Sequence, residues 1–315
     1  MEEHARVYDS DQSRVRSWLA ELRAPFLTGS VTPVVLGSVV AWRETGRFHW
    51  LHFMLAALGA AFLHFGANIA NDYYDHRSGN DEANVRFIRP FSGGSRLIQE
   101  GLLPPKQVLL ASVLFYAAAF AVGLYLAWAV GWGIVIFGLI GILGGFFYTA
   151  PPFKLGYRGL GEIIIGINFG VLCVLGGYYV QTQRLSMEAF LISLPMAFLI
   201  MAVLWINQFP DFEADRQVGK HHWVIRLGRR KSIAVYAGLL VGTYAVIAIG
   251  LLSRTFPVAA ALGLVPLPLA AKAFVTARKY YDEPPKLVPA NGSTIVIHLA
   301  TGVLLSAGYL ISRLV

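Results

Sequence analysis

Cysteine, charge and polar linkers are all scarce in this 315-residue chain. The single cysteine, Cys173, excludes an internal disulfide and a cysteine metal site. Charged residues make up 14% of the chain and hydrophobic residues 56%, a balance that excludes an ordinary soluble protein. No linker or low-complexity segment divides the sequence, so we predict a single domain over residues 1–315. Residues 1–22 lack the pattern of a cleavable signal, and we expect a polar cytoplasmic segment there.

Long apolar runs make up most of the sequence. About nine of them approach the roughly 20 residues that a helix needs to cross a bilayer. They cover residues 25–43, 50–71, 107–129, 131–149, 160–181, 188–208, 233–252, 256–275 and 293–312. The runs are continuously apolar rather than alternating, which disfavours a β-barrel. The sequence therefore predicts an all-α integral membrane protein.

The positive charges predict an orientation. If the N-terminus is cytoplasmic, most of the 26 Lys and Arg residues fall in loops on the cytoplasmic side. This asymmetry is what the positive-inside rule predicts, and it favours an odd number of spans with a cytoplasmic N-terminus. The net charge of +8 then reflects topology and contact with anionic lipid rather than nucleic-acid binding. We expect a multi-pass protein of the cytoplasmic membrane, and no obligate protein partner is evident.

Two acidic motifs lie at the ends of apolar runs. They are Asn68-x3-Asp72-x2-Asp75 and Asn207-x3-Asp211-x3-Asp215. An aspartate at mid-membrane depth costs about 2.5 to 3.5 kcal/mol on insertion scales, so four of them near lipid need compensation. Clusters of oxygen ligands suit Mg2+, which is usually shared between one or two carboxylates and substrate phosphates. The pattern predicts an enzyme that handles a phosphorylated, lipophilic substrate at the cytoplasmic side of the membrane.

Residues three or four apart share one face of a helix, so each motif forms a polar stripe. If the two helix ends meet, their carboxylates and amides converge on a cavity in which Mg2+ holds a diphosphate. We predict cytoplasmic cap loops over residues 76–105 and 216–232. Their Arg and Lys residues bind the phosphate oxygens, or they are there only because cytoplasmic loops are rich in positive charge. His64 lies one turn deeper on the first stripe, as an interior hydrogen-bonded residue or as an acid or base.

The recurrence of Asn-x3-Asp has two explanations. The chain consists of two related halves, or two unrelated helices have converged on one cation. Intramembrane carboxylates also mark ion pathways, so a cation-coupled transporter is the alternative from another class. Transporters place such groups near the midplane in broken helices, whereas these lie at the inner ends of helices that the sequence predicts to be intact.

The motifs resemble those of the UbiA superfamily of intramembrane prenyltransferases over nearly the whole chain. The resemblance is carried by these segments: Asn68-Ile69-Ala70-Asn71-Asp72-Tyr73-Tyr74-Asp75, Gly79-Asn80-Asp81, Asn207-Gln208-Phe209-Pro210-Asp211, Asp215, Gly219-Lys220 and Tyr148-Thr149-Ala150-Pro151-Pro152. It implies nine transmembrane helices around a central cavity, with two Asp-rich motifs that bind Mg2+ and an isoprenyl diphosphate.

The resemblance also implies roles by position. Asp72, Asp75, Asp81, Asp211 and Asp215 correspond to metal ligands, and all of these except Asp81 to catalytic residues. Residues implied to bind the diphosphate or to support its ligands are Asn68, Asn71, Asn207, Tyr148, Arg89, Lys154 and Lys220.

The acceptor is implied less sharply. Asn71-Asp72-x2-Asp75-x3-Gly79-x-Asp81 and Asp215-x3-Gly219-Lys220 are most similar to the menaquinone branch, which joins a polyprenyl chain to 1,4-dihydroxy-2-naphthoate. Pro210 departs from that branch, where many members have Arg, and the segment 93–99 matches no single acceptor class. Other acceptors, namely 4-hydroxybenzoate, homogentisate or a lipid alcohol, therefore stay open.

Overall fold

The computed structural model describes residues 14–314, and every regular element in that range is helical. Its long helices are Thr28–Thr45 (α1), Trp50–Ser78 (α2), Pro105–Ala129 (α3), Gly133–Phe146 (α4), Gly161–Thr182 (α5), Met187–Gln217 (α6), Arg229–Leu252 (α7), Leu267–Tyr280 (α8) and Pro284–Leu314 (α9). Shorter helical pieces are residues 14–21, Ala24–Leu27, Asn80–Ala83, Leu155–Tyr157, Trp223–Leu227 and Val258–Leu264. Helix α5 contains a π-helical segment, Gly166–Leu172.

The prediction of an all-α membrane protein is confirmed. Within residues 14–314, eight helical stretches are long and apolar enough to cross a membrane. Helix α4 has only 14 residues and falls short of that length, so the predicted number of nine spans is not established. Residues 1–13, which bear on the predicted orientation of the N-terminus, lie outside the described residues.

Several helices extend beyond the apolar runs that predicted them. Helix α2 continues to Ser78 and α6 to Gln217, so each acidic motif is helical throughout. The loops that follow are shorter than 76–105 and 216–232 and contain the helices Asn80–Ala83 and Trp223–Leu227. Hydropathy marks where lipid contact ends, whereas a helix ends where its backbone hydrogen bonds are capped. Gly79 provides that cap for α2, with a φ of 75° that glycine adopts without strain.

Small residues allow the helices around the site to approach closely. A Cβ on Gly37 of α1 would lie 1.9 Å from the Val174 carbonyl oxygen of α5, and one on Gly177 of α5 would lie 2.4 Å from the Val34 carbonyl oxygen. Glycine at both points lets α1 and α5 touch backbone to backbone, the packing typical of membrane helices. The main core joins α1, α5, α6, α7, α8 and α9. A second apolar cluster packs the loop after α2 against α2 and α3.

Candidate functional site: a carboxylate-lined cavity

One lysine joins the two acidic motifs. The Nζ atom of Lys220, in the loop after α6, lies 3.1 Å from Asp75 Oδ2 of α2 and 3.1 Å from Asp215 Oδ1 of α6. The motif helices, far apart in sequence, therefore end beside each other. Burial alone lowers the pKa of Lys220, but the charges of Asp215 and Asp75 outweigh it and raise the pKa well above its ordinary value.

Each of these two aspartates has further partners. The Tyr157 hydroxyl donates to Asp75 Oδ1 at 3.1 Å, and Asn71 Nδ2 donates to Asp75 Oδ2 at 3.4 Å. On α6, His222 Nε2 lies 2.9 Å from Asp215 Oδ2. Such bonds fix the carboxylates in one orientation, because buried polar groups adopt positions where their partners are satisfied.

The loop between α2 and α3 contacts the other two aspartates. The Ser95 backbone N–H donates to Asp72 Oδ2 at 2.9 Å, and Asn84 Nδ2 donates to Asp211 Oδ1 at 2.5 Å. Arg23 Nη1 lies 3.8 Å from Asp72 Oδ1, an atom that is buried and accepts no hydrogen bond from the described residues. The loop between α2 and α3 thus contacts both acidic motifs.

A cavity of about 240 Å3 opens between these groups. Of the predicted site residues, its walls include Asn68, Asn71, Asp75, Asp81, Tyr148, Asn207, Asp211, Asp215 and Lys220. Apolar residues line the cavity as well, among them Ile165 and Phe169 of α5 and Ile200, Val203 and Leu204, which lie one to two turns before Asn207 on α6. The cavity therefore has a carboxylate-rich part that contains Lys220 and an apolar part, as an amphiphilic substrate requires.

Three predicted residues are absent from these walls. Gly94 lines the cavity where Asp72 does not, and Asp72 packs against Gly94, Ser95 and Arg23. Lys154 Nζ lies 5.2 Å from the Tyr157 ring centroid, on the same ring that Lys220 approaches to 5.0 Å. Arg89 is half-exposed and forms an ion pair with Glu100, so the structure does not bring it to the cavity.

Asp81 occupies the position that the resemblance assigned to the last acidic residue of the first motif. Gln99 Nε2 donates to Asp81 Oδ2 at 3.3 Å. Burial, followed by the nearby charges of Asp75 and Asp72, raises the pKa of Asp81 to about 9. The excess of negative charge on this side of the cavity is what a bound cation would offset.

Sequence reasoning missed several residues of this site. Tyr157 and His222 bind the aspartates directly, Asn84 binds Asp211, and Asn291 Nδ2 of α9 donates to Asn207 Oδ1 at 2.8 Å. None of them belongs to an acidic motif, and only the tertiary fold brings them there. Asn291 lies just before the apolar run 293–312, so hydropathy did not mark it.

The donor set fits a cation shared with a ligand. Among residues 14–314 no three His, Cys, Asp or Glu side chains converge as a metal site built by protein alone. The carboxylate oxygens are hard donors, and the unpartnered Asp72 Oδ1 lies close to Asp81, since a Cβ on Gly94 would be 2.9 Å from Asp72 Oδ1 and 3.2 Å from Asp81 Oδ2. Mg2+ matches this arrangement, because it uses few carboxylates and completes its shell with water and phosphate.

Gly94 provides a test of this geometry. A methyl group on Gly94 would clash with the two nearby carboxylates, and the φ of 68° disfavours any residue with a side chain. We therefore expect Gly94→Ala to displace Asp72 and Asp81 and to lower the rate of the predicted prenyl transfer on the order of 100-fold. Gly101→Ala is the matched control, because Gly101 has a φ of 70° and open space beside it. Equal activities of the two variants in detergent-purified protein would show that the close approach at Gly94 does not matter.

Most of the chain is similar to known proteins. The model of the UbiA prenyltransferase family matches residues 30–295. A 2-carboxy-1,4-naphthoquinone phytyltransferase from Synechocystis sp. is 30% identical over 293 residues, 93% of this chain and 92% of that protein. A 1,4-dihydroxy-2-naphthoate octaprenyltransferase from Bacillus subtilis is 30% identical over 91% of this chain and 89% of that protein.

The fold also has solved counterparts. The structure of a UbiA homolog from Archaeoglobus fulgidus bound to DMAPP and Mg2+ superimposes with a TM-score of 0.59. That alignment covers 92% of this chain and 99% of the homolog at 16% sequence identity. The likeness establishes a common helical architecture.

Proposed function

Because the chain belongs to the UbiA prenyltransferase family, we propose that it transfers a polyprenyl group from an isoprenyl diphosphate to 1,4-dihydroxy-2-naphthoate, in an Mg2+-dependent step of menaquinone biosynthesis. The observation that carries the proposal is the bridge from Asp75 through Lys220 to Asp215, which joins both acidic motifs at one cavity. Several curated relatives are named 1,4-dihydroxy-2-naphthoate octaprenyltransferase, and these names support this choice of acceptor.

The carboxylate end of the cavity suits the diphosphate. Asp72, Asp75, Asp81, Asp211 and Asp215 would hold Mg2+ together with the phosphate oxygens. When bound, Mg2+ offsets the charge that develops on the departing diphosphate. The Lys220 ammonium adds a charge-assisted hydrogen-bond donor at the same place. Lys154 lies nearby, in contact with the ring of Tyr157.

The apolar end suits the reacting carbon and the acceptor. The bond between C1 and the diphosphate oxygen breaks, and its electron pair leaves with the diphosphate. A ring carbon of the acceptor then bonds to the allylic C1, and with 1,4-dihydroxy-2-naphthoate the ring carboxylate departs as carbon dioxide. Walls such as Phe169 and Ile200 keep water away from the cationic carbon, which water would quench. No protein nucleophile is needed.

A product assay tests the proposal. Membranes that contain the protein are supplied with isotopically labelled geranylgeranyl diphosphate, Mg2+ and, in turn, 1,4-dihydroxy-2-naphthoate, 4-hydroxybenzoate and homogentisate. We expect a product only with the naphthoate, with a mass that shows loss of diphosphate and carbon dioxide. Product from another acceptor alone would overturn the choice of acceptor. Ion flux into vesicles without any product would overturn the reaction itself.

The side of the membrane belongs to the same proposal. Lys154 and Lys220 lie in loops that are rich in basic residues. Loops rich in Lys and Arg lie on the cytoplasmic side of the membrane. We therefore place the site at the cytoplasmic face, where a soluble diphosphate product leaves directly into water.

A further inference from the structure

His64 is a buried histidine at the apolar end of the cavity. It lies one turn beyond Asn68 on α2, and the cavity walls around it include Gly29, Phe169 and Ile200. The imidazole Nδ1 lies 2.7 Å from Ser30 Oγ of α1. Its Nε2 is also buried and has no hydrogen-bond partner within residues 14–314. One ring nitrogen is thus held by the fold, while the other has no partner among the described residues and belongs to a side chain that lines the cavity.

An unpartnered nitrogen does not establish this by itself. His298 of α9 is likewise buried with an unpartnered Nε2, yet it does not line the cavity between the acidic motifs. His64 differs in two respects, since it belongs to the cavity wall and its ring is oriented by Ser30. Burying a polar group without a partner lowers stability, so a ligand that supplies one gains affinity.

The cavity divides beside His64. A second cavity of about 110 Å3 shares Ala67, Gly145 and Phe169 with the first. Its other walls are almost entirely apolar and rich in glycine, and they come from α1, α2, α3, α4 and α5. A long hydrocarbon tail fits this second branch, because nothing there requires a hydrogen bond except Asn168. The branch beside His64 is then free for the other substrate.

The spacing along α2 matches the size of the reacting groups. Asp75, Asn71, Asn68 and His64 follow one another on one face, and a helix rises about 1.5 Å per residue. Asn68 and His64 are therefore about 6 Å apart along the axis. A diphosphate at the aspartates places its allylic C1 near the amides, and the ring that bonds to C1 comes level with His64. Phe169, whose ring centroid lies 5.7 Å from that of His64, forms an apolar wall for such a ring.

We propose that His64 Nε2 hydrogen-bonds a ring hydroxyl of the aromatic acceptor and so directs the nucleophilic carbon toward C1. A hydroxyl group fits either tautomer of the imidazole, since it both donates and accepts. Ser30 is a positioning residue that fixes the ring through Nδ1. This inference rests on the proposed function and deepens it, because it names the contact that orients the hydroxylated aromatic acceptor.

Substitutions at His64 separate its two nitrogens. His64→Gln keeps an amide near the position of Nε2, whereas His64→Asn keeps one near Nδ1 and loses the group that faces the acceptor. We expect His64→Asn to lower kcat/KM for 1,4-dihydroxy-2-naphthoate on the order of tenfold, the effect of one lost hydrogen bond, with a smaller loss in His64→Gln. The KM for the prenyl diphosphate is expected to stay within about twofold, because the aspartates and Lys220 are unchanged.

Methyl ethers of the acceptor provide the decisive comparison. Wild-type enzyme and each variant are assayed with 1,4-dihydroxy-2-naphthoate and with its 1-methoxy and 4-methoxy derivatives. We expect one of the ethers to be a poorer substrate of the wild-type enzyme, and this difference to shrink about tenfold in His64→Asn, as a double-mutant cycle of one contact predicts. His298→Asn is the matched control, which removes a buried imidazole elsewhere and is expected to keep the full discrimination.

Each failure has a distinct reading. Absence of product from the wild-type enzyme with every acceptor would reject the proposed function. Product from the wild-type enzyme together with an equal loss on all three acceptors in His64→Asn would show a merely structural histidine and overturn the inference. A loss confined to the KM of the prenyl diphosphate, or full activity in His64→Asn, would overturn it as well.

Discussion

Asp211→Ala is expected to lower the rate of prenyl transfer by about three orders of magnitude, and Asp72→Ala by a similar factor. Asp211 lines the cavity and accepts a hydrogen bond from Asn84, while Asp72 has a buried oxygen with no hydrogen-bond partner among the described residues. Each substitution removes a carboxylate whose oxygen atoms we assign to binding the metal and the diphosphate. The measurement is the rate of diphosphate release by purified protein with saturating Mg2+.

Folding has to be measured beside activity in these variants. Asp211→Ala leaves the buried Asn84 amide without its acceptor, at a cost of about 1 to 3 kcal/mol in the free energy of unfolding. Asp282→Ala is the matched control, because Asp282 is an exposed carboxylate paired with Arg229. Such an exposed pair contributes about 1 kcal/mol or less, so activity should be retained. Full activity in both site variants would reject the assignment of the aspartates.

Lys220→Met is expected to lower kcat/KM for the prenyl diphosphate on the order of 100- to 1,000-fold. The substitution keeps a flexible chain of similar length but removes the ammonium group that lies 3.1 Å from both Asp75 and Asp215. Two effects combine. The phosphate loses a charged donor, and two buried carboxylates lose their shared counter-ion, which costs about 3 to 5 kcal/mol in comparable buried pairs.

Lys279→Met is the control for Lys220→Met. Lys279 Nζ lies 5.0 Å from the Tyr280 ring centroid, just as Lys220 Nζ lies 5.0 Å from that of Tyr157, but Lys279 is exposed. Steady-state kinetics and thermal unfolding of the two variants separate the bridge from the ring contact. Similar kinetics for both variants would show that the bridge between the motifs is not needed for catalysis.

Much of the architecture was predictable because lipid imposes a simple rule. A backbone surrounded by hydrocarbon must satisfy its own hydrogen bonds, so continuous apolar runs become helices. The exact spans were less predictable. Helix α4 stops at Phe146 although its run continued to residue 149, and α2, α6 and α9 continue through polar residues, because hydropathy carries no information about helix caps.

The site was predictable to the extent that it is written along one helix. Asp75 and Asn71, or Asp211 and Asp215, share a face because of the helical period, and that pattern is visible in the sequence. Tyr157, His222, Asn84 and Asn291 reach the site across loops and from a distant helix, so no local period marks them. Arg89 shows the opposite case, since a basic residue in the right loop pairs with Glu100 outside the cavity.

Isothermal titration of inorganic pyrophosphate in the presence and absence of Mg2+ tests most directly whether both acidic motifs hold one diphosphate. Wild-type protein is compared with Asp75→Asn and Asp211→Asn, which change one cavity-lining carboxylate on each motif helix without changing its shape. We predict Mg2+-dependent binding that each substitution weakens by about tenfold or more. Undiminished Mg2+-dependent affinity in either variant would contradict the shared site.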